Sequence, residues 1–257
     1  SSLGIGLYRV TDSKVMHNRI DWCVRGYSHG FYNRGQDSAG LLMYEQSSRN
    51  IVAYNSITHS GDGLFLWAGQ STMDTGQGGS NDNLFYGNDF SHAPTNGIEA
   101  TFSRNRFINN HIEENWHGLW GGYSFDSLIA GNTFARNQEG IAIEHGQNNV
   151  IAGNTFTGDD IGIRLWANET QDPNWGYPKN RDTRSRDYSI SANTMTGVKT
   201  PTQFSRTENV VLDSAGPPTL PAAPERISDG MDTLIPPGAR RGREFIIVDE
   251  WGPYDWT

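Results

Sequence analysis

LIAGNTF at residues 128–134 and VIAGNTF at 150–156 are the same heptapeptide but for the first residue, 22 positions apart. Aligned on their asparagines, they gather imperfect copies: VMHNRI (15–20), VAYNSI (52–57), FYGNDF (85–90), FSRNRF (102–107) and ISANTM (190–195). Each reads apolar-x-x-Asn-x-apolar. A second marker, Gly followed by alternating apolar residues, precedes each copy. It appears as GIGLYR from Gly4, GLLMY from Gly40, GLFLW from Gly63, GIEAT from Gly97, GLWGG from Gly118, GIAIE from Gly140 and GIRLW from Gly162. The Gly-to-Asn interval is 14 for Gly4–Asn18, Gly118–Asn132 and Gly140–Asn154, and 15 for Gly40–Asn55. A period near 22 built of short alternating runs is the pattern of a parallel β-helix, a coil of three short strands repeated along an axis. No 3.6-residue apolar pattern spans any copy, which excludes a helical repeat.

Composition agrees. Only 35% of the 257 residues are hydrophobic, while there are 30 Gly and 22 Asn. Such a chain is either disordered or a repeat fold with many tight turns. Eight Trp and ten Tyr speak against disorder. The 20 Lys+Arg against 29 Asp+Glu leave a net charge of −9, which argues against a nucleic-acid partner. No apolar run is long enough for a membrane span. Cys23 is the lone cysteine, so no disulfide framework or cysteine-based zinc site is expected.

These repeats resemble the right-handed parallel β-helix superfamily of carbohydrate-binding and sugar-hydrolysis proteins, the pectin-lyase-like fold, over about residues 4–214. That superfamily includes pectate lyases, polygalacturonases, epimerases, a periplasmic copper-delivery factor and viral tailspikes. The resemblance implies an all-β right-handed parallel β-helix of about seven to eight coils. No catalytic signature of the family can be transferred residue by residue. The Asn column is expected to serve structure, because Asn tolerates a left-handed bend and its amide can bond the neighbouring coil.

Strand alternation then sorts inside from outside. Ile141 and Ile143 point in; Ala142 and Glu144 point out. Leu64, Leu66, Ile98, Leu119, Ile163 and Leu165 line the core. The first coil begins at Gly4 with no room for a cap, so the chain reads as a fragment, or as one whose start a further segment or another chain covers. Eight of the eleven prolines fall between Pro201 and Pro253. Residues 1–214 are therefore read as the β-helix. Residues 215–257 are read as a Pro-rich connector leading to a terminal strand, REFIIVDEW.

Insertions into a regular coil mark function. Asn18–Gly40 spans 22 residues where 8 is usual, and Asn105–Gly118 spans 13. Gly63–Asn88 spans 25 and Gly162–Asn193 spans 31, so loops 68–82 and 167–187 should rise from the same edge of the first-strand sheet. The pattern predicts a trough: two walls, with the coils of Gly97, Gly118 and Gly140 as a low floor.

The outward floor residues are Glu99, Thr101, Trp120, Gly122 and Glu144, with His145 adjacent. Asp62, Trp116, His117 and Glu139 sit just before their strands; Trp67, Arg164 and Trp166 belong to the wall-side coils. Exposed Trp is favourable where something stacks on it, and sugar rings offer apolar faces to do so. Substrate contacts are therefore expected from Trp67, Trp116, Trp120, Arg164 and Trp166. Glycoside hydrolysis needs one protonated and one ionised carboxyl flanking the bond. Glu99 and Glu144 are the leading pair. Their backbones should be about 10–12 Å apart, which suits an inverting geometry. His145 or His117 would orient or titrate a neighbour, with Asp62 and Glu139 in reserve. A lyase or epimerase would also need a cation to neutralise a uronate, and Arg164 could supply it. The acidic surplus makes a polyuronate less natural without Ca²⁺, toward which Asp159 and Asp160 are weak candidates. The spacing of His59, His117 and His145 matches no ligand motif, so no resident metal is expected. The non-enzymatic rival is a carbohydrate-binding or cell-surface rod. The expectation is a secreted, periplasmic or cell-surface protein acting on a poly- or oligosaccharide.

Overall fold

The computed structural model describes residues 2–25, 37–172, 174–213, 216, 218–226, 247–249 and 252–254. Three columns of parallel strands stack along one axis. The first sheet has eight strands, one per coil: Leu3–Tyr8, Ala39–Tyr44, Asp62–Trp67, Asn96–Ala100, His117–Trp120, Glu139–Glu144, Ile161–Trp166 and Thr200–Ser205. These define coils 1 to 8. The second sheet also has eight strands, from Lys14–Met16 to Thr207–Asp213. The third runs from Arg19–Asp21 to Thr194–Thr196; in coil 3 it thins to the bridge residue Asp89. This is a right-handed parallel β-helix. Seven steps at about 4.8 Å make a rod roughly 34 Å long.

Inside, side chains repeat from coil to coil. Leu64, Leu66, Ile98, Leu119, Ile141, Ile143, Ile163 and Leu165 are at most 1% exposed. Phe85 stacks on Phe107 and Phe134 on Phe156, with centroids 5.0 and 4.9 Å apart. Each large apolar side chain buried in this way contributes about 1.5–3 kcal/mol. The Gly opening each first-sheet strand marks a close approach. A Cβ on Gly118 would lie 2.5 Å from the Gly140 carbonyl oxygen and 2.8 Å from the Phe134 ring. Coil 8 has Pro201 at this register.

The Asn column differs from expectation in two ways. The left-handed residue is the one before the Asn: His17, Tyr54, Gly87, Asn109, Gly131, Gly153 and Ala192 all have φ between 52° and 68°. The Asn itself supplies the amide. Its Nδ2 donates to the next coil's Oδ1 from Asn18 to Asn55, Asn88, Asn110, Asn132, Asn154 and Asn193, at 2.9–3.0 Å. The member in coil 4 is therefore Asn110, not Asn105. Asn105 belongs to a second ladder, Asn50–Asn83–Asn105, continued by Ser127 and Asn149. Measured to Asn110, Gly97 is 13 residues away, and Asn110–Gly118 is the regular 8. Coil 4 thus has no insertion there. A third ladder joins Asn115, Asn137 and Asp159.

The expected connector is described only in part. Residues 218–226 lie along the second sheet. Leu220 packs against the apolar group of Leu84, Ile108 and Ala130, and the Tyr54 hydroxyl donates to the Pro224 carbonyl at 2.7 Å. Ile247–Asp249 pairs antiparallel with Gly252–Tyr254. No helix among the described residues is long and apolar enough to cross a membrane.

Candidate functional site

The outer face of the first sheet does not repeat. One register row reads Phe65, Glu99, Trp120, Ala142, Arg164, Gln203; the next outward row brings Trp67, Glu144, Trp166 and Ser205. The row ahead of the Gly corner reads Asp62, Asn96, His117, Glu139. Ala142 faces outward as expected, yet it is fully buried. Trp120 and Arg164 flank it in register, and the Trp120 and Trp166 rings meet edge to face at 5.5 Å.

The two inserted loops do not stand apart as walls. Loop 68–82 carries the short helix Gln70–Thr75, and loop 167–187 carries Gly176–Asn180. Gly176 abuts Asp74, and Asn180 reaches the Asp74 carbonyl. Between them Phe102, Tyr123, Tyr177 and Ala68 form a second apolar cluster, with Trp67, Met73 and Trp175 packed against it. Phe102 and Tyr123 stack at 4.8 Å. The expected trough is thus closed at this side, because aromatic burial draws the loops together. What remains is a cleft of about 560 Å³. Glu99, Trp120 and Glu144 line it with Phe65, Trp67, Thr101, Gly122 and Tyr123, together with Trp175 from the loop and Asp37.

Glu99 and Glu144, two coils apart, therefore share one cleft. Glu99 is half-buried, and its Oε2 accepts from Asn96 Nδ2 at 3.0 Å. Burial, with the Asp62 and Asp37 charges adding to it, holds the Glu99 carboxyl well above the ordinary carboxylate range. Asp62 is buried, and its Oδ1 accepts from Thr95 Oγ1, the Asn96 backbone and Asn96 Nδ2. Burial outweighs these bonds and raises its pKa to about 7. Glu144 takes a hydrogen bond from Asn168 Nδ2.

Three expected residues serve the surroundings instead. His145 is buried with both ring nitrogens occupied: Nδ1 donates to the Thr183 carbonyl at 2.6 Å, and Nε2 accepts from the Asn168 backbone at 3.0 Å. It pins loop 167–187 and has no nitrogen left for a substrate. His117 is buried, with Nδ1 2.7 Å from Asn96 Oδ1 and Nε2 3.7 Å from Glu139 Oε2. Burial, then the Arg164 charge, lowers its pKa to about 4, so it is neutral at pH 7. Glu139 is buried and accepts from Arg164 Nη1 at 2.7 Å.

Of the expected sugar contacts, Trp67 and Trp120 line the cleft. Arg164 and Trp166, stacked at 4.3 Å, line an adjacent depression of about 300 Å³ with Asn168, Gln203 and Arg206. Trp116 is 47% exposed and stacks on His117, ahead of the strand rather than in the cleft. The residues that sequence reasoning passed over are Asn96, Asp37, Phe65, Phe102, Tyr123 and Trp175. Asn96 had a usable signal, since it precedes a corner Gly as Asp62, His117 and Glu139 do. Asp159 belongs to the third Asn ladder and Asp160 pairs with Lys199 at 2.6 Å, so both proposed Ca²⁺ ligands have other work.

The profile of the family described as periplasmic copper-binding protein (NosD) matches residues 75–175. That segment has no Cys or Met. Of its histidines, His145 and His117 are bonded as above, His111 pairs with Glu113, and His92 packs on His59. No three His, Cys, Asp or Glu gather as a metal-holding group among the described residues. No curated protein sequence matches the chain. Among solved structures, the A-module of mannuronan C-5 epimerase AlgE4 from Azotobacter vinelandii is similar at TM-score 0.60 and 16% identity, over 81% of this chain and 54% of that one. The A-module of AlgE6 from the same organism gives 0.54 and 15%, over 84% and 55%. The periplasmic alginate epimerase AlgG gives 0.52 and 15%, over 82% and 47%. The chain thus spans about half the length of these structures. At such identities the likeness establishes the β-helix fold.

Proposed function

We propose that this β-helix acts on a polysaccharide outside the cytoplasm, and that it hydrolyses a glycosidic bond in the Glu99–Glu144 cleft. The observation that carries this reading is that these two acids, 45 residues apart in sequence, flank Trp120 in one aromatic-lined cleft with unlike surroundings. Burial and the neighbouring carboxyls favour the protonated form of Glu99. It is the general acid that protonates the leaving-group oxygen. Glu144, bonded to an amide, is the base for the attacking water. Two coils of stacking put the backbones about 10–12 Å apart, a spacing from which the side chains can reach the separation of an inverting pair, with water entering between the carboxyls. Trp67, Trp120 and Trp175 offer stacking faces for sugar rings.

A second reading is epimerisation or elimination at a uronate, supported by the three epimerases among the similar structures. Against it, the described lining of the cleft has no Lys or Arg to neutralise a uronate, and Arg164 is committed to Glu139. Incubating the protein with a panel of neutral polysaccharides and polyuronates separates the two. New reducing ends on a neutral polymer, lost in Glu99→Gln and Glu144→Gln, are the expected result. Unsaturated products or an altered epimer ratio on a polyuronate would replace hydrolysis by the second reading. Binding that both variants retain, with turnover of no polymer, would make the protein a carbohydrate-binding rod.

A further inference from the structure

The row ahead of the Gly corner is polar and ends on the cleft, hydrogen-bonded from Arg164 to Glu139 and again from His117 through Asn96 to the two acids. Arg164 donates to Glu139 Oε1, and Glu139 Oε2 faces His117 Nε2. His117 Nδ1 meets Asn96 Oδ1, and Asn96 Nδ2 meets both Asp62 Oδ1 and Glu99 Oε2. Asn96 and His117 are themselves buried, at 9% and 7% exposure. Every link joins neighbouring coils or a residue three positions along, so strand register holds the row in place.

The hydrogen positions follow from the acceptors. The Asn96 side-chain nitrogen carries two N–H groups, and two carboxyl oxygens lie within bonding distance of it. Asp62 Oδ1 already accepts from the Asn96 backbone N–H and from Thr95 Oγ1, so reversing the amide would aim a second acceptor at an accepting oxygen. The orientation found puts one N–H on each carboxyl and leaves Oδ1 as an acceptor. His117 must then carry its hydrogen on Nδ1. The 2.7 Å bond from that nitrogen then holds the amide in this orientation. Glu99 Oε2 is thereby engaged as an acceptor, and a carboxylic acid that accepts on one oxygen carries its proton on the other.

We propose that Asn96, oriented by His117, is the positioning residue for Glu99: its amide claims Oε2 and so places the acidic proton on Oε1, the oxygen left for the scissile bond. The proposal rests on the hydrolase reading only for the last step; which oxygen is protonated is a property of the free protein. Asn96 also separates Glu99 from Asp62, so the two acids meet an N–H rather than each other. Charged or titratable groups on this row and beside it are Asp62, Asp37, His117, Glu139 and Arg164.

The test needs no substrate. The intact chain, labelled with ¹³C at the Glu carboxyls, is compared with Glu99→Gln by infrared difference spectroscopy at pH 6. The protonated carbonyl stretch missing from the variant belongs to Glu99. In Asn96→Ala, loss of the bond to Oε2 is expected to move this band to higher frequency. His117→Ala should move it in the same sense, and His117→Asn, whose amide can donate from the place of Nδ1, should restore it. Should Asn96→Ala fail to fold, Asn96→Ser carries the same expectation. A band unchanged by loss of the Asn96 amide overturns the proposal. On the panel polymer that the wild-type chain cleaves, Asn96→Ala should lower kcat about 10- to 100-fold with KM held. Full turnover by Glu99→Gln would instead sink the hydrolase reading and leave the infrared result standing.

Discussion

The corner that carries the Asn ladder and the outer face of the first sheet lie on the same coils, yet they follow opposite rules. At the corner one residue type recurs through seven coils with bonds that differ by only 0.1 Å. On the face, the row Phe65, Glu99, Trp120, Ala142, Arg164, Gln203 never repeats a residue. Stacking demands that each coil satisfy its neighbours, so whatever is shared must be the same. What faces outward is released from that demand and can take on chemistry. The comparison teaches where to look in a repeat fold: for the register row at which the repetition stops.

The sharpest way to break the comparison is to exchange effects between the two regions. Glu99→Gln should lower turnover about 100- to 10,000-fold, the range of a lost general acid, with the melting temperature kept or raised. A large loss of stability without loss of kcat would place Glu99 with the scaffold. Phe134→Ala should do the converse, costing about 3–5 kcal/mol in denaturant unfolding because the stack on Phe156 leaves a cavity. Acid titration tests the row between them. His117 has its folded pKa lowered to about 4 from 6.5, so it contributes stability that is present above pH 6.5 and lost as pH falls toward 4. The loss is about 3 kcal/mol at most by linkage, and His117→Asn should flatten that limb of the stability curve. Asn132→Ala should cost about 1–3 kcal/mol, since the Asn110 backbone N–H and the Phe107 carbonyl would lose their buried partner. Trp120→Ala should raise KM about tenfold, worth about 1.4 kcal/mol, with little change in stability.

Much of this contrast was legible in the sequence. The Gly and Asn markers gave the coil, the sheet order and the inward residues, because each answers a local need that recurs. FSRNRF fits the Asn pattern as well as any copy, so Asn105 passed for a member of the first ladder. Only the hydrogen bonds separate two ladders that run one strand apart. That Glu99 and Glu144 share one cleft was legible because parallel register follows from the repeat. The work of His145 was not, since Thr183 and Asn168 reach it from an insertion whose path no periodicity encodes. The closing together of loops 68–82 and 167–187 was hidden for the same reason: it rests on aromatic packing between segments a hundred residues apart.

Residues 218–226 have a bearing on how the molecule comes apart. A solenoid with contacts only between adjacent turns can fray from either end, one unit at a time. Here Leu220 rests against the middle turns and Pro224 is held by Tyr54 in the second. A lengthwise strap of this kind couples turns that do not touch, so unwinding one should loosen several at once. Hydrogen exchange should therefore show these turns opening as a single block, with protection that falls together when Tyr54 is replaced by Phe.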